Sequence, residues 1–113
     1  MKDYHEAETA SFHLHLLSKI MDMDKYPFTK LIIERNLTKA EYIELMDRLS
    51  LLNQQFEVQT KEGLLDFSSL LLHFAGMLTE KLEPNQTIYA LKEEGVYPSL
   101  METFITILKQ TKE

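Results

Sequence analysis

The sequence predicts an all-α protein, a multihelical bundle of about six helices with one long helix near residues 39–62. Three observations carry that prediction. Apolar and polar residues nowhere alternate for long, so no strand candidate survives. The three prolines, Pro27, Pro84 and Pro98, each stand at the head of a stretch with helical periodicity. Proline suits the first helical position because its missing N–H has no intrahelical partner there. Finally, Tyr42, Leu45, Leu49, Leu52 and Phe56 recur at steps of 3, 4, 3 and 4, which draws one apolar stripe along a helix.

In chain order, a first helix covers about 4–21, with Ala7, Ala10, Leu14, Leu17 and Met21 as its stripe and Phe12, Leu16 and Ile20 widening it. Asp22 and Asp24 follow as a terminus. Residues 27–35 make a short helix with Phe28, Leu31 and Ile32 inward, and Asn36 ends it in a left-handed conformation. Thr38 and Glu41 then fit a capping box, in which each side chain satisfies the other residue's orphan backbone donor. No Gly or Pro interrupts the pattern from there to Gly63, so the helix runs unbroken. Asp66 caps a helix over about 67–78, with Leu70 and Phe74 on its inner stripe; Gly76 either lies inside it at a close crossing or ends it. Helices at about 84–94 and 98–110 complete the chain, the first closed by Gly95 and the second turning Met101, Phe104, Ile105 and Leu108 inward. The 113 residues read as a single all-helical domain, 1–113.

The long helix raises a question of size. Twenty-four residues span about 36 Å, whereas a compact chain of this length is about 34 Å across. Short neighbours cannot cover such a stripe singly. Either the first helix and the 67–78 helix pack along it, or a second subunit does. The expectation is a homo-oligomer that uses apolar faces of the 39–62 or 67–78 helices, through Tyr42, Leu45, Leu49, Leu52, Phe56, Leu70 and Phe74 as interface or core.

Composition excludes several functions. Without cysteine there is no disulfide, thiolate nucleophile or cysteine-ligated metal. A net charge of −6 is the wrong sign for a nucleic-acid binder, whose affinity comes from neutralising phosphates. The most apolar region, 63–78, is too short and too interrupted to span a membrane. The acidic start, with Asp3, Glu6 and Glu8, does not resemble a secretory leader, so a cytoplasmic location is expected.

Chemistry-bearing residues are few. Of the histidines at 5, 13, 15 and 73, His13 and His15 fall roughly 200° apart around a helix and cannot share a metal from one face. His73, in an apolar segment, reads as a core or interface residue and only weakly as a ligand. Glu41, Glu44 and Asp47 recur every three residues, a spacing that helical magnesium-dependent pyrophosphohydrolases use, but for the second acidic pair such enzymes need on a facing helix only Glu80 and Glu83 have the spacing, and they straddle the expected helix end before Pro84. Solvated acids near a helix N-terminus also oppose its dipole without any metal. No glycine-flanked nucleophile and no calcium loop is present. No catalytic residue, cofactor or metal is therefore assigned.

The segments KYPFTKLIIERNLT at 25–38, DFSSLLLHFAGMLTEKLEPNQTIYAL at 66–91 and EEGVYPSLM at 93–101 resemble the YhaI-like family of small uncharacterised bacterial proteins, over nearly the whole chain. The resemblance implies an all-helical cytoplasmic protein that assembles with copies of itself, and it supplies no reaction. The function expected is that of a non-enzymatic helical oligomer acting through protein contacts with itself or an unidentified partner, as a regulatory accessory factor. The alternative is a small α-helical metal-dependent hydrolase or ligand-binding protein, with His73 or the acids at 41, 44 and 47 in its site.

Overall fold

A computed structural model describes the backbone of residues 2–111 and the side chains of residues 6–110. Within them lie six α-helices, α1 (Lys2–Ile20), α2 (Pro27–Glu34), α3 (Lys39–Lys61), α4 (Ser68–Met77), α5 (Pro84–Glu94) and α6 (Pro98–Thr111), with one turn of 3-10 helix at Met23–Lys25. No strand occurs among the described residues. None of these helices is long and apolar enough to cross a membrane.

The helix ends obey the local signals. Pro27, Pro84 and Pro98 each open a helix. Thr38 and Glu41 form both arms of the capping box: the Glu41 N–H donates to Thr38 Oγ1 at 3.1 Å, and the Thr38 N–H donates to Glu41 Oε1 at 2.8 Å. Gly95 closes α5 at φ 86° and Gly63 follows α3 at φ 84°, backbone that a Cβ would strain. Asn36 takes the same region at φ 57°. α4 begins one residue later than expected, so its N-cap is Phe67, which makes no side-chain cap; Asp66, one position before it, accepts the Ser68 N–H at 2.9 Å. Gly76 lies inside α4, in its last turn, with open space where a Cβ would sit, so no close helix crossing requires it.

The core is built from α2 to α6. Leu45, Leu49 and Leu52 of α3 meet Leu70 and Phe74 of α4, while Phe104 of α6 lies against Phe74 with ring centroids 5.6 Å apart. On the other side α5 sits between α2 and α6, burying Ile88 and Leu91. Thr87 is the one polar residue buried among those described, and its hydroxyl donates to the Glu83 carbonyl at 2.7 Å. Burying a hydroxyl is costly unless it is bonded; here it is.

Four expectations need correction. The α3 stripe is interior only in its middle third: Tyr42 is 39 % exposed beside Phe28, and Phe56 is half-buried against Phe67. A rod of 23 residues outruns the short helices packed on it, so both ends of its stripe emerge. Second, of the two roles expected for these residues, interface or core, Leu45, Leu49, Leu52, Leu70 and Phe74 take the core role, covered by the chain's own helices. Third, His73 is not a core residue: it is exposed, as are Leu65 and Leu72 in the same apolar segment.

The fourth correction is the largest. α1 does not pack along α3. Every α1 side chain from Glu6 to Ile20 is exposed, and the helix packs lengthwise on none of the others. The molecule is therefore elongated, 57 × 25 × 25 Å, with a radius of gyration of 16.8 Å instead of the ~13 Å of a compact chain this long.

Candidate functional site

The residues with chemical potential do not converge. Glu41 is engaged in the capping box and accepts a 2.7 Å hydrogen bond from Lys81 Nζ. Glu44 pairs with Arg48 one turn on, also at 2.7 Å. Asp47 is exposed on the same helix. Glu83, the acid that could have answered them from another helix, is turned onto the N-terminus of α5, where it accepts the N–H groups of Asn85 and Gln86. Among the described residues no group of three or more His, Asp or Glu could hold a metal ion. His13, His15 and His73 are exposed and separate; the His5 side chain lies outside the described residues.

These polar groups tie the fold together instead. Lys81 Nζ also donates to the Asn36 carbonyl at 3.1 Å, so one ammonium joins the α2–α3 turn, the start of α3 and the loop before α5. A second tie joins the α2 N-terminus to the end of α5. Tyr26 precedes α2 and has no side chain able to cap it, but Glu94 accepts both the Thr29 N–H at 2.8 Å and the Thr29 hydroxyl at 2.7 Å. A carboxylate 65 residues away in sequence thus does a cap's work. Nothing local in the sequence announces it.

The Lys81 bond, with the Thr38 N–H behind it, holds the Glu41 carboxyl below its ordinary value of 4.5. A group whose pKa is depressed by folding stabilises the native state above the unfolded value and loses that contribution as pH falls through the folded one. Glu41→Gln keeps a capping-box residue but removes the charge. Expected in urea denaturation is a lower midpoint than wild type at neutral pH and a smaller difference at acid pH, below 4.5. An equal difference at both pH values would show that Lys81 gains nothing from the charge.

Two open depressions were candidates for a ligand site. One, of about 580 Å³ between α3 and the start of α6, includes Phe56, Glu57, Lys61 and Tyr97; Glu57 is already bonded to Asn53 at 2.9 Å. The other, of about 650 Å³, is the cleft between α1 and α2, bordered by Leu14, Ser18, Met23, Lys30 and Ile33. The first also holds Ser99 and Thr60 and the second Ser11, His15 and Glu34, but among the described residues no nucleophile is hydrogen-bonded to a base in either: Glu57 is taken by Asn53, and the Ser18 hydroxyl donates to the His15 backbone carbonyl at 2.6 Å.

The distinctive surface is apolar. Phe12, Leu14, Leu16, Leu17, Ile20 and Met21 are between 41 % and 80 % exposed within ten residues of chain. Scattered exposed leucines need no explanation, but a contiguous apolar surface marks a contact site. Sequence periodicity marks these same residues as one broad stripe, and spacing reports a face that prefers burial without saying what buries it.

Fold and surface together define a small all-helical bundle with an apolar helix standing off its core. The chain belongs to a family of proteins of unknown function, DUF1878, whose family model matches residues 1–109. That span takes in the projecting helix as well as the bundle.

Proposed function

We propose that this protein acts by association: it is a non-enzymatic helical oligomer, a regulatory accessory factor that works through contacts with copies of itself and with a protein partner. One observation carries the reading. A helix of 19 residues is laid out with core-like spacing and is left without a core. Its exposed apolar side chains present on the order of 600 Å², the upper end of what a soluble monomer shows in one patch. Hiding that surface from water favours association at roughly 25 cal/mol per Å² before the costs of ordering are met.

The rival reading, a metal-dependent hydrolase or ligand-binding protein built on His73, Glu41, Glu44 and Asp47, would need those groups to meet. They face solvent or serve as caps and ties. The narrower likeness to YhaI-like bacterial proteins, and the cytoplasmic location it implies, belong to the same proposal and rest on the segments at 25–38, 66–91 and 93–101.

Light scattering on a sizing column is the test. At micromolar concentration the mass is expected to be a multiple of 13.3 kDa. A peak that holds the monomer mass across that range would refute self-association.

A further inference from the structure

Helices of a folded domain draw most of their stability from packing and caps, and less from intrinsic preference. α3 and α5 show what such support looks like. The Thr38–Glu41 box starts α3, Glu44 and Arg48 pair one turn apart on it, and Leu45, Leu49 and Leu52 anchor it in the core. Glu83 and Gly95 cap α5, and Thr87, Ile88, Ala90 and Leu91 bury its inner face. α1 has no such anchor among its described side chains. From Glu6 to Ile20 every side chain is exposed. No ion pair among the described residues involves positions 6–20. The Ser18 hydroxyl donates to the His15 carbonyl at 2.6 Å, a bond that stays within the helix and competes slightly with its ladder.

Local preference does not make up the difference. Ala7 and Ala10 are the only alanines in residues 6–20, whereas Thr9, Ser11, Phe12, His13, His15 and Ser18 all belong to the weaker helix formers. An isolated helix of ~12–15 residues is marginal in water even when it is rich in alanine. What the segment does carry is spacing. Leu14, Leu17 and Met21, widened by Phe12, Leu16 and Ile20, make one broad apolar stripe only while the chain is helical. Forming the helix and covering the stripe therefore favour each other.

We infer that α1 is a conditional helix: in the single chain it exchanges between helix and unfolded backbone, and association of the chain with its copies fixes it. The bundle of α2 to α6 has its own core and keeps its fold in both states. An order–disorder step thus stands in series with assembly. Part of the gross contact energy goes to ordering α1, so the contact is specific and still comes apart readily. The coupling to assembly rests on the self-association proposed above; the marginal helix in the single chain does not.

Hydrogen exchange of the full chain, read by mass spectrometry beside its mass in solution, is the test. Where the chain is monomeric, amides of residues 6–20 are expected to exchange within ~10-fold of the unstructured-peptide rate, and those around Leu49 and Leu91 to be slowed by ~10³-fold or more. Raising the concentration until the chain associates is expected to slow the α1 amides at least ~10-fold. A second measurement varies preference alone. Ser11→Ala combined with Ser18→Ala replaces two weak helix formers by the strongest, and is expected to raise the monomer's helix signal in circular dichroism. A helix already complete has nothing to gain. Slow exchange of residues 6–20 in the monomer, or no gain from the double substitution, overturns the conditional helix. Fast exchange that persists in the associated chain overturns the coupling and leaves self-association standing. A monomer mass at every concentration refutes self-association, and the coupling with it.

Discussion

Replacing Phe74 by alanine is expected to remove about 3–5 kcal/mol of folding stability, the usual cost of emptying a buried aromatic site. Phe74 has no solvent exposure and lies between the α3 leucines and Phe104, itself fully buried. Truncation loses the transfer energy of the ring and leaves a void, because the helices around it are held by their own contacts and collapse only in part. Domains of this size hold roughly 5–15 kcal/mol in all. The variant is therefore expected to unfold at a much lower urea concentration with the same slope. The matched control is Phe12→Ala. Phe12 is 57 % exposed on a helix outside the core, so at a concentration where the chain is monomeric the same chemical change should leave the melting of the bundle almost untouched. A Phe74→Ala midpoint within error of wild type would mean that the α3–α4–α6 junction is not where the fold is held.

Leu14→Glu is the second, and it acts on assembly. Leu14 belongs to the exposed seam of Ala7, Ala10, Leu14, Leu17 and Met21 that the proposed self-association would cover, and a two-fold assembly would place the substitution in the interface twice. With only about half of Leu14 left to bury, losing ~0.8–1.5 kcal/mol at each copy corresponds to a dissociation constant raised by roughly 10–10²-fold. Because Leu14 is 53 % exposed within its own chain, cooperative unfolding of the bundle should be retained. Sedimentation velocity at the same concentration should show the mass falling to that of the monomer. If the assembly survives Leu14→Glu unchanged, the seam is not its contact.

The two substitutions also separate what spacing can and cannot report. Leu49 and Leu14 sit in runs with the same 3, 4 rhythm, yet Leu49 is fully buried and Leu14 is not. Periodicity specifies a face that gains by leaving water, and that gain is the same whichever surface arrives to cover it. Tyr42 and Phe56 show the same point at smaller scale: the stripe continues past the bundle that fills its middle. Among the candidate chemical residues, Glu41 was legible as half of a capping box, because the partner is three residues away. Its bond to Lys81, forty residues on, was not.

Helix number, helix limits to within a residue or two and the inward residues of α2 and α6 were set by the sequence alone, since prolines at helix starts, Gly63 and Gly95 at left-handed ends and the Thr38–Glu41 box act over one turn of chain. Only the tertiary structure decided that α1 stands off the core, that Glu94 caps α2 from α5, and that the acids at 41, 44 and 47 have no counterpart across from them. The reason is range. A cap or a turn is an interaction among neighbours in the chain, whereas the cover over an apolar face comes from wherever the rest of the molecule, or a second molecule, happens to lie.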